Sequence, residues 1–393
     1  MNLNIKANLD EFSTGMPLTP SYVKMILTDP SNYNKQALID TIYEVDTDYT
    51  AKILERSSIF RKAEWNIEPS GNKAIDKFTH DELWRVLDNN LFQHIHEAIF
   101  RRFSVTEINW EKKGNQVTVG SLIKHHQRSF EYESGVLKIF DKADNKLISI
   151  PDNKIILCES PLKTRGLPFS ISEQLALLIC IKYYAMCKNW PKFNENYSMP
   201  PTVGKTNTNN EEEKKIMREG LESLGAFQYA LISNDSSIDF MELKYSSPET
   251  FEKVIRLIDE KIVKAVLAQT LTTQSDGKGS YALGEVHADV REDVFTESLD
   301  LVCDAINTYL VKPLVDFNFT TNIYPTFKLF LPETFDKKIK RDKSIVEVGV
   351  KFNKNYFVET YGLNPDHFEV TESNTTEDSA KKKTLNSLQD PFI

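Results

Sequence analysis

The stretch from Ser247 to Phe319 reads as an amphipathic helix, a glycine-bearing polar loop and a second, longer helix, and no other stretch constrains the fold as much. Ser247 and Pro248 are N-cap and first-turn signals. Behind them Phe251, Val254, Ile255, Ile258, Ile262 and Val266 share one helical face, and Glu252/Arg256 and Glu260/Lys264 are supporting i,i+4 pairs. The loop runs from Thr270 to Gly284. The second helix is expected from Glu285 to about Asp316, with Pro313 as a kink or an ending. Helix, loop and long helix in this order push a mobile finger into a central space while both its ends stay anchored.

Composition narrows the function classes. The 393 residues leave room for roughly two or three domains, and 40% apolar residues supply a sizeable core. A net charge of −9 argues against a surface that grips DNA phosphates throughout, because such grip needs clustered Lys and Arg. Nucleic acid that slides past without sticking stays open. Cys158, Cys180, Cys187 and Cys303 are scattered without a CxxC pair, so buried reduced thiols are expected rather than a disulfide scaffold or a zinc ribbon. Met1–Lys6 lacks the apolar run of a signal peptide. The most apolar segment, Ile171–Cys187, is broken by Glu173, Gln174 and Lys182 and is too short and polar to span a bilayer. Folding in cytoplasm is the expectation.

Along the chain, Pro17, Pro20 and Pro30 punctuate short helical pieces in an N-terminal arm, residues 1–40. Helical spacing predicts one helix over Ala37–Arg61 and two more over Ile75–Leu87 and Leu91–Arg101, with a strand at Ala63–Glu68. At Val105 the period changes to two: Val105, Glu107, Asn109 and Glu111 alternate with Thr106, Ile108 and Trp110, as in a half-buried strand. Short strands follow at Gln116–Val119, Ser129–Tyr132, Val136–Phe140, Leu147–Ile150 and Lys154–Cys158, so the region is α+β. After Leu167-Pro168 a long helix is interrupted by Pro191 and ends at Pro200-Pro201. Then come a strand at Thr202–Lys205, a helix over Glu211–Leu224, and strands at Tyr229–Ile232 and Ile238–Leu243. A further helical region spans Phe335–Gly362, and the polar composition from Thr371 onward reads as a disordered tail.

Candidate chemistry is sparse. Ser275-Asp276-Gly277-Lys278-Gly279-Ser280 fails as a phosphate loop, since Lys278 lies between two glycines after a helix instead of following Gly and four residues after a strand. Its cation and hydroxyls suit passing contact with a phosphate backbone. Asp289, Asp293, Glu297, Asp300 and Asp304 form an acidic stripe at i+3 and i+4 spacing, with Glu292 beside it. A solvated face is the default reading and a functional field the alternative. A metal site would need ligands from another element, and Glu285 and His287 are the only nearby supplement. His94 and His96 point apart on a helix, His125-His126 lacks a matching cluster, and neither a GxSxG elbow nor a Cys-His pairing signal occurs. No catalytic residue, metal ligand or cofactor is expected. Trp190, Phe193 and Met199-Pro200-Pro201 read as core before they read as a partner groove.

The residues resemble the Mu-like bacteriophage portal proteins from about Thr19 to Phe319. Asp46, Tyr49, Ile53 and Arg56 fit an early helix, Trp65-Asn66-Ile67-Glu68-Pro69 the strand after it, and Phe103-Ser104-Val105-Thr106-Glu107-Ile108-Asn109-Trp110 the next block. Asn189-Trp190, Phe193, Met199-Pro200 and Val203-Gly204-Lys205 follow in order. The most specific blocks are Gln269-Thr270-Leu271-Thr272-Thr273 and Ala282-Leu283-Gly284-Glu285-Val286-His287, with Arg291, Asp293, Pro313-Leu314 and Asn318-Phe319 behind them. Tyr197-Ser198 departs from the family's Phe-Gly, which puts the turn there in doubt, and nothing beyond Pro325 matches residue by residue.

The resemblance implies an α+β portal-type fold. An α+β wing would span 41–169, completed by 317–333, and stem helices 170–197 and 248–269 would flank a small α/β clip at 198–247. A tunnel loop at 270–284, a spine helix at 285–316 and a small helical crown at 334–370 would follow, with the tail at 371–393. It also implies a dodecameric ring at one capsid vertex, through which double-stranded DNA is packaged and ejected. The partners would be other copies of the chain, the terminase large subunit, the capsid protein and head-completion or tail adaptor proteins, with no membrane. The place would be the virion, and the host cytoplasm during assembly. In such a ring Thr272, Thr273, Gln274, Ser275, Gly277, Lys278, Gly279 and Ser280 would face the DNA, and the acidic stripe would belong to the channel or spine. The alternatives are a carboxylate- and metal-dependent nuclease, and a domesticated portal in a gene-transfer or tail-like particle.

Overall fold

The computed structural model describes residues 18–141, 144, 146–198, 202–223, 229–233, 248–268 and 281–369; side chains at 195–198, 202, 222–223, 229–231, 248 and 281–291 are outside it. The chain divides into two compact units, Met1–Leu331 and Pro332–Ile393. The first opens with α1 (Pro20–Thr28), where Thr19 accepts the Tyr22 N–H and Pro20 takes the first turn. The single helix expected over Ala37–Arg61 is two, α2 (Asn32–Val45) and α3 (Thr47–Ser57), plus one tight 3-10 turn at Ser58–Arg61. Asp46 makes the break: its backbone is extended and its carboxylate accepts the Tyr49 N–H, so it caps α3 instead of continuing α2.

Strand β1 (Glu64–Glu68) precedes α4 (Lys73–Val86), α5 (Asn89–His96) and the short α6 (Ala98–Arg101). Strand β2 (Phe103–Lys113) pairs antiparallel with β3 (Gln116–His125). A second antiparallel sheet follows, of β4 (Phe130–Glu133), β5 (Val136–Asp141) and β6 (Lys146–Ser149). Strand β7 (Ile155–Glu159) then returns to the other edge of β2. The half-buried expectation for β2 fails, because Phe103 to Ile108 are all buried. As the central strand it packs Phe103 and Val105 against Phe130 and Ile139 of the second sheet, while Ile108 joins helical side chains of α5. Alternating polarity misled because Glu107 is buried with a partner, His125, at 3.0 Å. A tight hairpin of β8 (Lys163–Thr164) and β9 (Leu167–Pro168) turns on Arg165 and Gly166, both with positive φ, as a two-residue hairpin requires.

Helix α7 (Ile171–Tyr184) begins with a reciprocal capping box between Ser170 and Glu173. Pro191 was expected to interrupt it. Instead the helix widens into a π turn over Ala185–Asn189 and continues as α8 (Trp190–Ser198), the Trp190 N–H reaching back five residues to the Ala185 carbonyl. Strands β10 (Thr202–Lys205) and β11 (Tyr229–Ile232) pair in parallel with α9 (Glu211–Ser223) as the crossover between them. The strand expected at Ile238–Leu243 lies outside the described residues. Helix α10 (Pro248–Leu267) is followed by α11 (Tyr281–Ile306), which begins four residues before Glu285. A second π turn, Asn307–Val311, carries α11 into α12 (Lys312–Asp316) across Pro313. Strand β12 (Thr326–Phe330) returns to pair antiparallel with β1.

The second unit holds α13 (Phe335–Glu347) and α14 (Lys354–Tyr361), where one helical region was expected. Gly349, at φ 103°, breaks it. Asp342 of α13 joins the two helices, accepting from the hydroxyls of Tyr356 at 2.9 Å and Tyr361 at 2.6 Å.

Candidate functional site

The loop residues Thr272, Thr273, Gln274, Ser275, Gly277, Lys278, Gly279 and Ser280 lie outside the described residues. What the structure shows is the base on which they stand. Helix α10 buries Ile258, Ile262 and Val266 against Tyr49 and Ile53 of α3 and Leu175 and Ile179 of α7. Helix α11 buries Leu299, Val302 and Ile306 with Ile156 of β7 and Phe327 of β12. Leu301 packs against both groups. The two helices are therefore held largely by separate cores.

Arg56 of α3 ties the end of α10 to a point well inside α11. Its Nη1 donates to the Val266 carbonyl at 2.9 Å and its Nε to the Ser298 hydroxyl of α11 at 3.2 Å. The first bond satisfies one of the carbonyls that the end of α10 leaves free. The guanidinium is buried, which pulls its pKa down, and the charge of Glu297 opposes that. Helix α10 ends on Ala268 in the left-handed region, φ 54°, a position that usually falls to glycine. The loop thus leaves a fixed base on its α10 side, while the Ser298 contact lies well inside α11.

A second hub sits on the same helices. The Lys182 ammonium of α7 is buried and reaches Asp46 at 3.1 Å, Asp48 at 2.8 Å and Asp259 of α10 at 2.6 Å. Burial pulls its pKa down, but hydrogen bonds to Asp259 and Asp48 and the charge of Asp46 outweigh that and push it up. Burial raises the Asp259 pKa, only partly opposed by Lys182, because Asp48 and Asp46 crowd the same cation. From the sequence Lys182 looked like a polar break in an apolar run. A lysine inside such a run needs buried acids, and that was the available signal.

Of the acidic stripe, Asp293, Glu297, Asp300 and Asp304 are exposed along α11, while the Asp289 side chain lies outside the description, as do Glu285 and His287. Among the described residues no group of three or more His, Cys, Asp and Glu is placed to hold a metal. His94 bonds the Val105 carbonyl and His96 the Ser57 hydroxyl, on different sides of α5. His125 and His126 each meet one carboxylate, Glu107 and Asp40. Trp190 and Phe193 are half-buried and lie against Phe251 of α10, at ring separations of 6.5 and 5.6 Å; Met199 to Pro201 are outside the described residues. Cys158, Cys180 and Cys303 are buried, but Cys187, expected to be buried, is exposed because the π turn swings it outward. No described helix is long and apolar enough to cross a membrane.

The arrangement is mechanical: Arg56 clamps the end of α10 to the body of α11. Residues 36–363 match the family model for the portal protein of Mu bacteriophage, starting later than Thr19 and running past Pro325, where the residue-by-residue likeness stops. The portal protein of Escherichia phage Mu is 24% identical over 327 residues, 78% of this chain and 62% of that protein. Mu-like prophage FluMu protein gp29 of Haemophilus influenzae is 26% identical over 370 residues, 86% of this chain and 69% of that one. The chain thus spans less than two thirds of the phage Mu relative. A solved HK97 family phage portal protein from Corynebacterium diphtheriae covers 80% of this chain and 97% of its own at 9% identity, with a TM-score of 0.39, too distant to bear on the assignment. With the family model matched across both clamped helices and the loop between them, the chain belongs to the Mu bacteriophage portal protein family.

Proposed function

We propose that the chain is the subunit of a dodecameric portal ring at one capsid vertex, through which double-stranded DNA is packaged and later ejected. The observation that carries this is the family match over residues 36–363, which takes in the clamped helix pair and the loop it supports. The terminase large subunit, the capsid protein and head-completion or tail adaptor proteins are its partners. It acts in the virion and is assembled in the host cytoplasm. The role is structural and uses no cofactor. Residues 170–197 and 248–269 are the stem, 198–247 the clip, 285–316 the spine and 334–370 the crown.

Charge supports a conduit over a clamp. Each phosphate neutralised adds counterion-release affinity, so a sliding channel must stay poor in cations. The net charge is −9, and the exposed carboxylates Asp293, Glu297, Asp300 and Asp304 belong to the ring's field together with Asp289. Thr272–Ser280 faces the axis with one cation per copy, Lys278.

Native mass spectrometry and negative-stain microscopy of the purified chain at micromolar concentration test the reading. Closed rings with a central hole are expected. A species that stays monomeric over a wide range of concentration and salt would overturn it. DNA cleavage with Mg²⁺ or Mn²⁺ that is lost in an Asp289→Asn/Asp293→Asn double variant would replace it with a nuclease.

A further inference from the structure

The Lys182 hub opens onto a groove of about 190 Å³ between α3, α7 and the first π turn. Two carboxylates, Asp46 and Asp48, line it against the one Lys182 ammonium. Asp46 is 5% exposed, and its Oδ2 has no hydrogen-bond partner although Oδ1 holds both Lys182 and the Tyr49 N–H. The accessible acid is Asp48, whose side chain is 63% exposed, and with two carboxylates against one ammonium the groove keeps a negative field that favours a further cation. Its rim is apolar, with Val45, Tyr183 and Met186 partly exposed. A lysine suits both halves, laying its methylene stem on the rim and its ammonium at Asp48.

The same chain carries the complement. Lys253, Leu257, Lys261 and Lys264 form an exposed stripe along α10, and Lys261 and Lys264 make no ion pair among the described residues. We propose that this groove seats the α10 stripe of a second copy of the chain, with Lys261 or Lys264 reaching the exposed Asp48 carboxylate. Groove and stripe are different surfaces, so the contact is head-to-tail and propagates around a ring. The inference rests on the ring reading and names one interface within it.

Cys187 lines the groove and is exposed, which makes it a native reporter. In assembled rings of the unaltered chain its maleimide labelling is expected to be about tenfold slower than in dissociated monomer, as for a group in a desolvated interface core. Under a copper–phenanthroline/O₂ oxidant, which takes up the two electrons, a Lys264→Cys variant should form a disulfide with Cys187 between subunits, seen as a ladder on a non-reducing denaturing gel. Lys261→Glu/Lys264→Glu should weaken assembly about a hundredfold, and adding Asp48→Lys should restore part of it. Circular dichroism of each variant separates lost assembly from lost folding, and the labelling measurement needs no variant. Rings in which Cys187 reacts as fast as in monomer, or a double variant that assembles like the parent, overturn the interface and leave the portal reading intact. A parent chain that never forms rings overturns both.

Discussion

His96 carries no charge at neutral pH. Burial between Phe60 and Phe100 pushes its pKa down to about 3, and the Arg56 cation adds to the effect. An unfolded imidazole titrates near 6.5, so below that pH the unfolded chain binds the proton first. The stability tied to neutral His96 is whole above pH 6.5 and drains away as the pH falls toward 3. Between pH 7 and pH 5 the parent is expected to lose about 2 kcal/mol more than a His96→Gln variant, read from urea midpoints. Parallel losses would show that the imidazole is not buried in solution. Lys182→Met strands three carboxylates and should cost about 3 kcal/mol or more at pH 7. Burial already raises the Asp259 pKa, so the folded form takes up a proton more readily than the unfolded one. Lowering the pH therefore relieves that penalty, and the variant should lose less stability than the parent between pH 7 and pH 5.

Single elements obeyed local chemistry where their neighbours left them alone. The stretches β10, α9 and α10 fall within a residue or so of the sequence expectation, since local residue pattern decides each of them. Elements decided by side-chain partners did not. Asp46 splits one expected helix because its carboxylate serves both a cap and Lys182. Pro191 read as an interruption, yet its helix runs on through a π turn that makes room for a ring with no N–H to give. Pro313, read as a kink or an ending, follows a second π turn, and the helix ends at Asp316. The pairing of α13 with α14 hangs on Asp342, and Tyr356→Phe/Tyr361→Phe removes its two hydroxyl donors. Limited proteolysis of that variant is expected to cut faster around Gly349 than in the parent. Equal cutting in both proteins would mean that the tyrosines do not hold the helix pair.

At the scale of the whole molecule the clamp and the loop make separable demands. Arg56→Met removes a buried guanidinium and both its bonds between α10 and α11, so a loss of about 3 kcal/mol is expected. Arg56→Lys should not restore it, because an ammonium lacks the fork that meets two acceptors at once. Removing Ser275–Gly279 should leave ring formation intact and impair packaging or retention of DNA. A deletion that blocks oligomerisation, with DNA handling normal in whatever rings form, would make the loop an interface element.

Order along the chain was legible from the residues alone. Helix, loop and long helix, the α+β region before them and the acidic stripe follow from period, caps and charge, which act within a few positions of one another. The blocks from Trp65-Asn66-Ile67-Glu68-Pro69 to Ala282–His287 carried the family as well. Only the tertiary structure decided which side chains meet across hundreds of positions: Arg56 with Val266 and Ser298, Lys182 with Asp46 and Asp259, β1 with β12. A buried charge must find its partner wherever packing brings one, and no local spacing records where that is.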